Sequence, residues 1–172
     1  MVQESLKDKT VCVVGLGYVG LPLAEAFAEK IPTIGYEIVE EKARQIAATT
    51  KAPLHVTSDP EEIRKADFVL ICVPTPVKKT KEPDLSFVKA AARTVGQHLK
   101  PGAIVVLEST VYPGVTEEVV RLVLEEESGL VCGKDFKVGY SPERINPGDD
   151  AHDLAKITKI VAGMDLESGE AL

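Results

Sequence analysis

Residues 10–20 read Thr-Val-Cys-Val-Val-Gly-Leu-Gly-Tyr-Val-Gly. Thr10 to Val14 is a short β-branched run ending at Gly15, the pattern of a strand buried on both faces. Gly15, Gly17 and Gly20 then fall on the spacing G-x-G-x-x-G. Beyond them Leu21, Ala24, Phe27, Ala28 and Ile31 recur at helical spacing, so one apolar stripe runs over residues 18–30. Pro22 falls in the first turn, where a missing N–H costs little.

A glycine pattern alone is weak; placed between a strand and a helix it marks a phosphate-binding turn. Gly15 permits the tight turn, Gly17 leaves bare backbone for a pyrophosphate, and Gly20 lets helix and strand approach closely. With Tyr18 and Val19 they are the first candidate cofactor-binding residues. The helix N-terminus adds free N–H groups and partial positive charge, which allows an acidic protein to hold an anionic ligand. Glu37 ends the next predicted strand, 17 residues beyond Gly20. A carboxylate there accepts hydrogen bonds from adenosine ribose hydroxyls and repels a 2′-phosphate, so NAD is expected over NADP. The plainer alternative is a tight turn followed by a solvated strand end.

Outward from this unit, strand-like runs alternate with amphipathic helices at short intervals. Strands are expected at 33–37, 54–57, 67–73, 103–107, 136–140 and 159–162, and a helix at 39–48. Asp59 and Pro60 start a helix with Glu61 and Glu62 in its positive first turn. Asp84 caps a helix on which Leu85, Val88, Ala92, Val95 and Leu99 repeat, and Thr116 caps another that opens with Glu117 and Glu118. Residues 141–153 are a Pro/Gly-rich loop, and DLESGEAL at the end begins a further helix. The alternation specifies an α/β fold, a Rossmann-type doubly wound, mostly parallel sheet with helices on both faces.

With 172 residues, 44% hydrophobic and 27% charged, the chain suffices for one domain and a real core. Its apolar runs are strand-length, and its start lacks the apolar core of a signal peptide. Three cysteines argue against a disulfide scaffold and fit a reducing, cytoplasmic compartment. A net charge of −7 argues against a nucleic-acid partner. One asparagine and three glutamines leave few heat-labile amides, weakly hinting at a thermophilic source.

Val73, Pro74, Thr75 and Pro76 lie at the carboxyl end of the most hydrophobic strand, where ligands of open α/β sheets bind. Glu108-Ser109-Thr110 ends the next strand, and Tyr140-Ser141-Pro142-Glu143 the one after. Three polar strand ends would converge on one crevice; the alternative is that they merely stop strands and begin turns.

GLGYVGLPLA, CVPTP, ESTVYPGVTEE and GYSPERINPGD, in this order, resemble the NAD-binding domain of the UDP-glucose/GDP-mannose dehydrogenase family. The last two motifs are most similar to the branch acting on UDP-N-acetylhexosamines. The resemblance implies an oxidoreductase that converts C6 of a UDP-sugar from alcohol to uronic acid with two NAD⁺. In that chemistry a cysteine traps the aldehyde as a thiohemiacetal, which becomes a thioester and is hydrolysed. It further implies that Thr110 helps position the catalytic water and that Glu143 does acid–base work. Val73, Pro74, Thr75, Ser109 and Thr110 would line the cofactor crevice. Glu37 stands where the family commonly has aspartate.

The family's nucleophilic cysteine and its sugar-binding residues lie beyond a first domain. Residues 1–172 are therefore expected to be the NAD-binding part of a longer enzyme, binding cofactor without turning over sugar. A homodimer formed through a later domain is also implied. Cys12 and Cys72 read as core residues and Cys132 as a loop thiol. His55, His98 and His152 read as surface or loop residues, without metal-ligand spacing. Glu125-Glu126-Glu127 reads as a solvated face. Lys78, Lys79 and Lys81 read as a loop whose alternative partner is a cofactor or substrate phosphate. Another two-domain dehydrogenase, of the 3-hydroxyacid or 6-phosphogluconate type, and a non-catalytic nucleotide-sensing module are the rival readings.

Overall fold

The computed structural model describes residues 6–143 and 158–172. Its strands are β1 (Val11–Val14), β2 (Thr33–Tyr36), β3 (His55–Thr57), β4 (Phe68–Ile71), β5 (Ile104–Leu107), β6 (Lys137–Tyr140) and β7 (Ala162–Gly163). The α-helices are α1 (Gly20–Ala28), α2 (Glu40–Thr49), α3 (Ser86–Gln97), α4 (Arg121–Ser128) and α5 (Leu166–Ala171). A 3₁₀ turn at Pro60–Lys65 precedes β4, and a π-helical turn at Thr116–Val120 leads into α4.

One sheet takes the order β3-β2-β1-β4-β5-β6-β7. Every pairing is parallel except β6 with β7. The chain winds outward from β1 to β3, then returns to lay β4 on the other side of β1. That reversal opens a crevice at the carboxyl ends of β1 and β4. The uninterrupted apolar strands follow from helices covering both faces. Cys12 and Val14 pack with Val69, Ile71, Val105 and Leu107 toward Val88, Ala92 and Val95 of α3 and Leu124 of α4. Val11 and Val13 face the opposite way, with Leu70 and Val106, onto Leu23 and Ala24 of α1 and Ile46 of α2.

Asp59 caps its turn as expected, accepting the Glu61 N–H at 3.0 Å. Asp165 caps α5 in a capping box with Ser168. Asp84 accepts the Ser86 N–H at 3.0 Å, although the cap position itself is Leu85. Thr116 is not a cap: it is a buried first residue of the π turn, preceded by Val115, and no side chain caps that end. The last strand is not 159–162 but Ala162–Gly163, because register with β6 begins only at Ala162 opposite Tyr140. Ile160 and Val161 stay half exposed ahead of it. The expected loop at 141–153 is described only as far as Glu143; Arg144 and His152 lie outside the described residues.

Candidate functional site

A crevice of about 520 Å³ lies at the β1/β4 reversal. Gly15, Gly17, Tyr18 and Val19 form one wall, Glu37 one end, and Val73, Pro74, Thr75, Ser109, Thr110 and Glu143 the far side. The structure thus brings together every expected site residue except Gly20, which works from behind. A Cβ at Gly20 would sit 1.9 Å from the Gly15 carbonyl oxygen, so its bare Cα is what seats α1 against the turn. Gly15 holds φ +93°, a conformation that disfavours side chains, with the Cys72 carbonyl close behind it. At Gly17, on the crevice lining, a Cβ would meet nothing within 4 Å. No side chain caps α1; the Leu21 N–H is taken by the Gly17 carbonyl at 3.1 Å and Pro22 has none, so what this end offers an anion is the positive end of the helix dipole beside the Gly17 backbone.

Glu37 is 5% exposed. Its carboxylate accepts the Val39 N–H at 3.3 Å and the Lys42 ammonium at 2.5 Å. Lys42, in the first turn of α2, also lines the crevice. In the sequence its only signal is a lysine five residues beyond the strand-end acid. Phe87, Ala90, Ala91 and Thr94 of α3 complete an apolar flank. They fall outside the stripe of Leu85, Val88, Ala92, Val95 and Leu99 that periodicity marks on this helix.

On the far side the strand ends are braced reciprocally. The Ser109 hydroxyl donates to the Val73 carbonyl at 2.6 Å, and the Thr75 hydroxyl to the Thr110 carbonyl at 2.8 Å. Beside them Glu108, 4% exposed, is ion-paired with Lys159, which arrives from the segment leading into β7. Burial pushes the Glu108 carboxyl up, Lys159 opposes that, and neighbouring Glu143 adds to it.

Cys12 and Cys72 are core residues: burial, then Glu62, pushes the Cys12 thiol up to about 12, and burial, then Glu108, pushes Cys72 up too. Cys132 is a half-buried loop thiol 3.6 Å from the Met164 sulfur, raised by burial and Glu125. The lysine loop folds as a small hairpin closed by a Val77–Pro83 bridge, and none of its lysines lines the crevice. His55 is exposed, but His98 is mostly buried, with Nδ1 3.3 Å from Glu61. No metal-ligand cluster exists among the described residues. Glu125-Glu126-Glu127 is not simply a solvated face. Glu125 accepts from Arg121 and the Cys132 N–H, and Glu127 takes Gln97 and Arg93 of α3.

Residues 31–172 match the model of the UDP-glucose/GDP-mannose dehydrogenase family, NAD binding domain. The chain belongs to this family. Relatives include Protein CapL of Staphylococcus aureus, 48% identical over 93% of this chain and 41% of that protein. Another is UDP-N-acetyl-D-glucosamine 6-dehydrogenase of Pseudomonas aeruginosa, 41% identical over 96% of this chain and 42% of that protein. Among solved structures, NDP-N-acetyl-D-galactosaminuronic acid dehydrogenase from Methanosarcina mazei Go1 superposes with TM-score 0.86 at 32% identity. That superposition covers 99% of this chain and 42% of the other. The chain therefore spans about two-fifths of the length of the curated relatives it matches.

The family's cofactor fits the crevice as built. The backbone at Gly17 faces open space on the crevice wall, beside a helix terminus that no side chain caps, which suits a pyrophosphate. Glu37 and Lys42, hydrogen-bonded to each other, line the crevice just beyond the carboxyl end of β2. A Rossmann-type, NAD-binding α/β domain is thus what sequence, fold and family agree upon, against the 3-hydroxyacid and 6-phosphogluconate types. No helix among the described residues is long and apolar enough to cross a membrane.

Proposed function

We propose that residues 1–172 are the cofactor domain of a cytoplasmic nucleotide-sugar 6-dehydrogenase. It oxidises a UDP-N-acetylhexosamine to the uronic acid in two NAD⁺-dependent steps, for polysaccharide precursors. The names of the relatives support that substrate class. NAD⁺, when bound, supplies the hydride acceptor.

The chain's own residues bind and orient. The turn from Gly15 to Gly20 holds the pyrophosphate on backbone N–H groups, and Glu37 with Lys42 holds the adenosine ribose. Val73 and Pro74 form the floor toward the nicotinamide, with Thr75 and Ser109 bracing it. Thr110 positions a water at the far end, and Glu143 moves its proton. The nucleophilic cysteine and the sugar pocket belong to sequence corresponding to the remaining length of the relatives, and that same part forms the homodimer. The observation that carries this reading is the convergence of Glu143, Thr110 and the Gly17 opening on one crevice.

Calorimetry of this chain with NADH and NADPH tests the cofactor half, with NADH expected to bind tighter. For the reaction, protein of the relatives' length is given UDP-N-acetylglucosamine and NAD⁺. Two NADH per sugar, read by absorbance, is expected; one NADH, or robust turnover by residues 1–172 alone, overturns the assignment.

A further inference from the structure

Residues 15–18 read Gly-Leu-Gly-Tyr, and Leu16 is the one buried side chain among them, 2% exposed, while Gly17 and Tyr18 are exposed. The glycines on either side of it carry nothing that could anchor the turn. Toward β4 the turn is seated by bare backbone, since Gly15 and Gly20 lie close to Cys72. Toward β2 it has two ties. The Gly15 N–H donates to the Tyr36 carbonyl at 2.9 Å, and the Leu16 side chain occupies the space beside Gly35. A Cβ at Gly35 would stand 2.9 Å from Leu16 Cδ1 and 3.1 Å from Cδ2, too close for the two side chains to coexist unmoved.

A glycine inside a strand is destabilising, because it loses more chain entropy than other residues and has no side chain to pack. Gly35 does not have a positive φ, so its backbone conformation does not call for glycine. What calls for it is the volume of Leu16. The layers agree: Ile34 and Tyr36 pack on the α3 and α4 side of the sheet, and Leu16 on the other side with Leu23, Ala24 and Ile46. Leu16 is a peg and Gly35 its socket. Gly17 follows the peg directly, and Glu37 lies two residues beyond the socket, so the phosphate and ribose ends of the crevice hang on the same stretch of β2.

We propose that the seating of Leu16 over Gly35 fixes the height of the Gly17 backbone at the crevice and thereby sets the affinity for the pyrophosphate. This rests on the reading above, in which the pyrophosphate lies against Gly17. Leu16 and Gly35 are positioning residues: neither lines the crevice, and both act through Gly17.

The test uses Gly35→Ala, Leu16→Val and the two combined, each titrated with ADP, which carries both phosphates, and with adenosine, which carries none. Gly35→Ala adds one carbon at the contact and Leu16→Val removes one, so the double variant conserves volume. Gly35→Ala is expected to weaken ADP about tenfold, the order of one lost hydrogen bond to a charged group, and to leave adenosine within twofold. Leu16→Val loosens the peg and is expected to weaken ADP severalfold, again with adenosine unmoved. The double variant is expected to bind ADP more tightly than either single variant. Leu16→Val and the double variant carry the test if Gly35→Ala alone does not fold. ADP affinity unchanged in the single variants, or a double variant no better than they are, overturns the proposal. Equal losses of ADP and adenosine also overturn it, because the contact would then support the fold as a whole and not the turn. All three outcomes leave the crevice assignment intact. If wild type binds ADP no more tightly than adenosine, the placing of phosphates at Gly17 falls, and the proposal with it.

Discussion

Substituting alanine at Gly17 separates folding from binding. Gly17 does not have a positive φ, and an added Cβ meets no atom within 4 Å. The folded state therefore gains no strain, while reduced freedom of the unfolded chain adds about 0.4–1 kcal/mol of stability. The same methyl occupies the space where a pyrophosphate oxygen would approach the backbone. Losing one N–H to phosphate contact costs roughly 1.5–3 kcal/mol, or about 10- to 100-fold in affinity. Gly20→Ala is the control of opposite sign. Its Cβ falls 1.9 Å from the Gly15 carbonyl oxygen, so the turn or α1 must shift. Such overpacking costs roughly 1–3 kcal/mol, or about 2–12 °C of melting temperature in a chain this size. Thermal unfolding and NADH calorimetry on both variants give the readout. Gly17→Ala should melt about 1–4 °C above wild type and bind NADH at least tenfold more weakly. If it melts no lower than wild type and binds NADH within twofold of it, the phosphates do not lie against Gly17.

Glu37→Gln is expected to weaken NADH severalfold and strengthen NADPH, because Lys42 is released from its 2.5 Å partner to face a 2′-phosphate. Competition calorimetry checks it, and an unchanged NADH/NADPH ratio refutes it. Thiol labelling of native protein at pH 8 should modify Cys132 alone, since burial holds Cys12 and Cys72 as inert thiols; rapid labelling of all three contradicts this. Asp67 accepts the Thr10 N–H at 2.9 Å and Lys100 at 2.9 Å, and these outweigh its burial to depress its carboxyl. A depressed folded pKa means the stabilisation is fully present above the ordinary carboxylate value of 3.8 and is lost as pH falls through the lower folded value. Asp67→Asn should therefore be destabilised at neutral pH, by about 1–2 kcal/mol in urea unfolding, and converge on wild type in acid. A gap that persists undiminished at low pH would sink the assignment.

The crevice was legible where chemistry and periodicity coincide. The run from Thr10 to Gly20 carries strand, turn and helix in eleven residues, and Val73 to Thr75 announces a strand end by its prolines. Burial on both faces was also readable, because the β1 residues have no polar alternation. Other features lay beyond sequence reasoning for physical reasons. Thr116 has the side chain of a cap, but the Gly114-Val115 turn carries the chain directly into a π turn and buries it. Glu108 and Lys159 are unremarkable apart; only the antiparallel return of β7 puts an ammonium over that carboxylate. Lys42 reads as one of several charges on a solvated helix until β2 and α2 set it against Glu37.

The reciprocal brace between β4 and β5 has a consequence for kinetics. The Ser109 hydroxyl on the Val73 carbonyl and the Thr75 hydroxyl on the Thr110 carbonyl tie the two strand exits of the far wall together. A wall tied in this way is expected to receive the cofactor without rearranging. Stopped-flow mixing with NADH should give a single phase whose rate rises linearly with concentration, without the plateau of a slow closing step. Cutting one hydroxyl, in Ser109→Ala, frees one strand exit relative to the other and should bring that plateau into view.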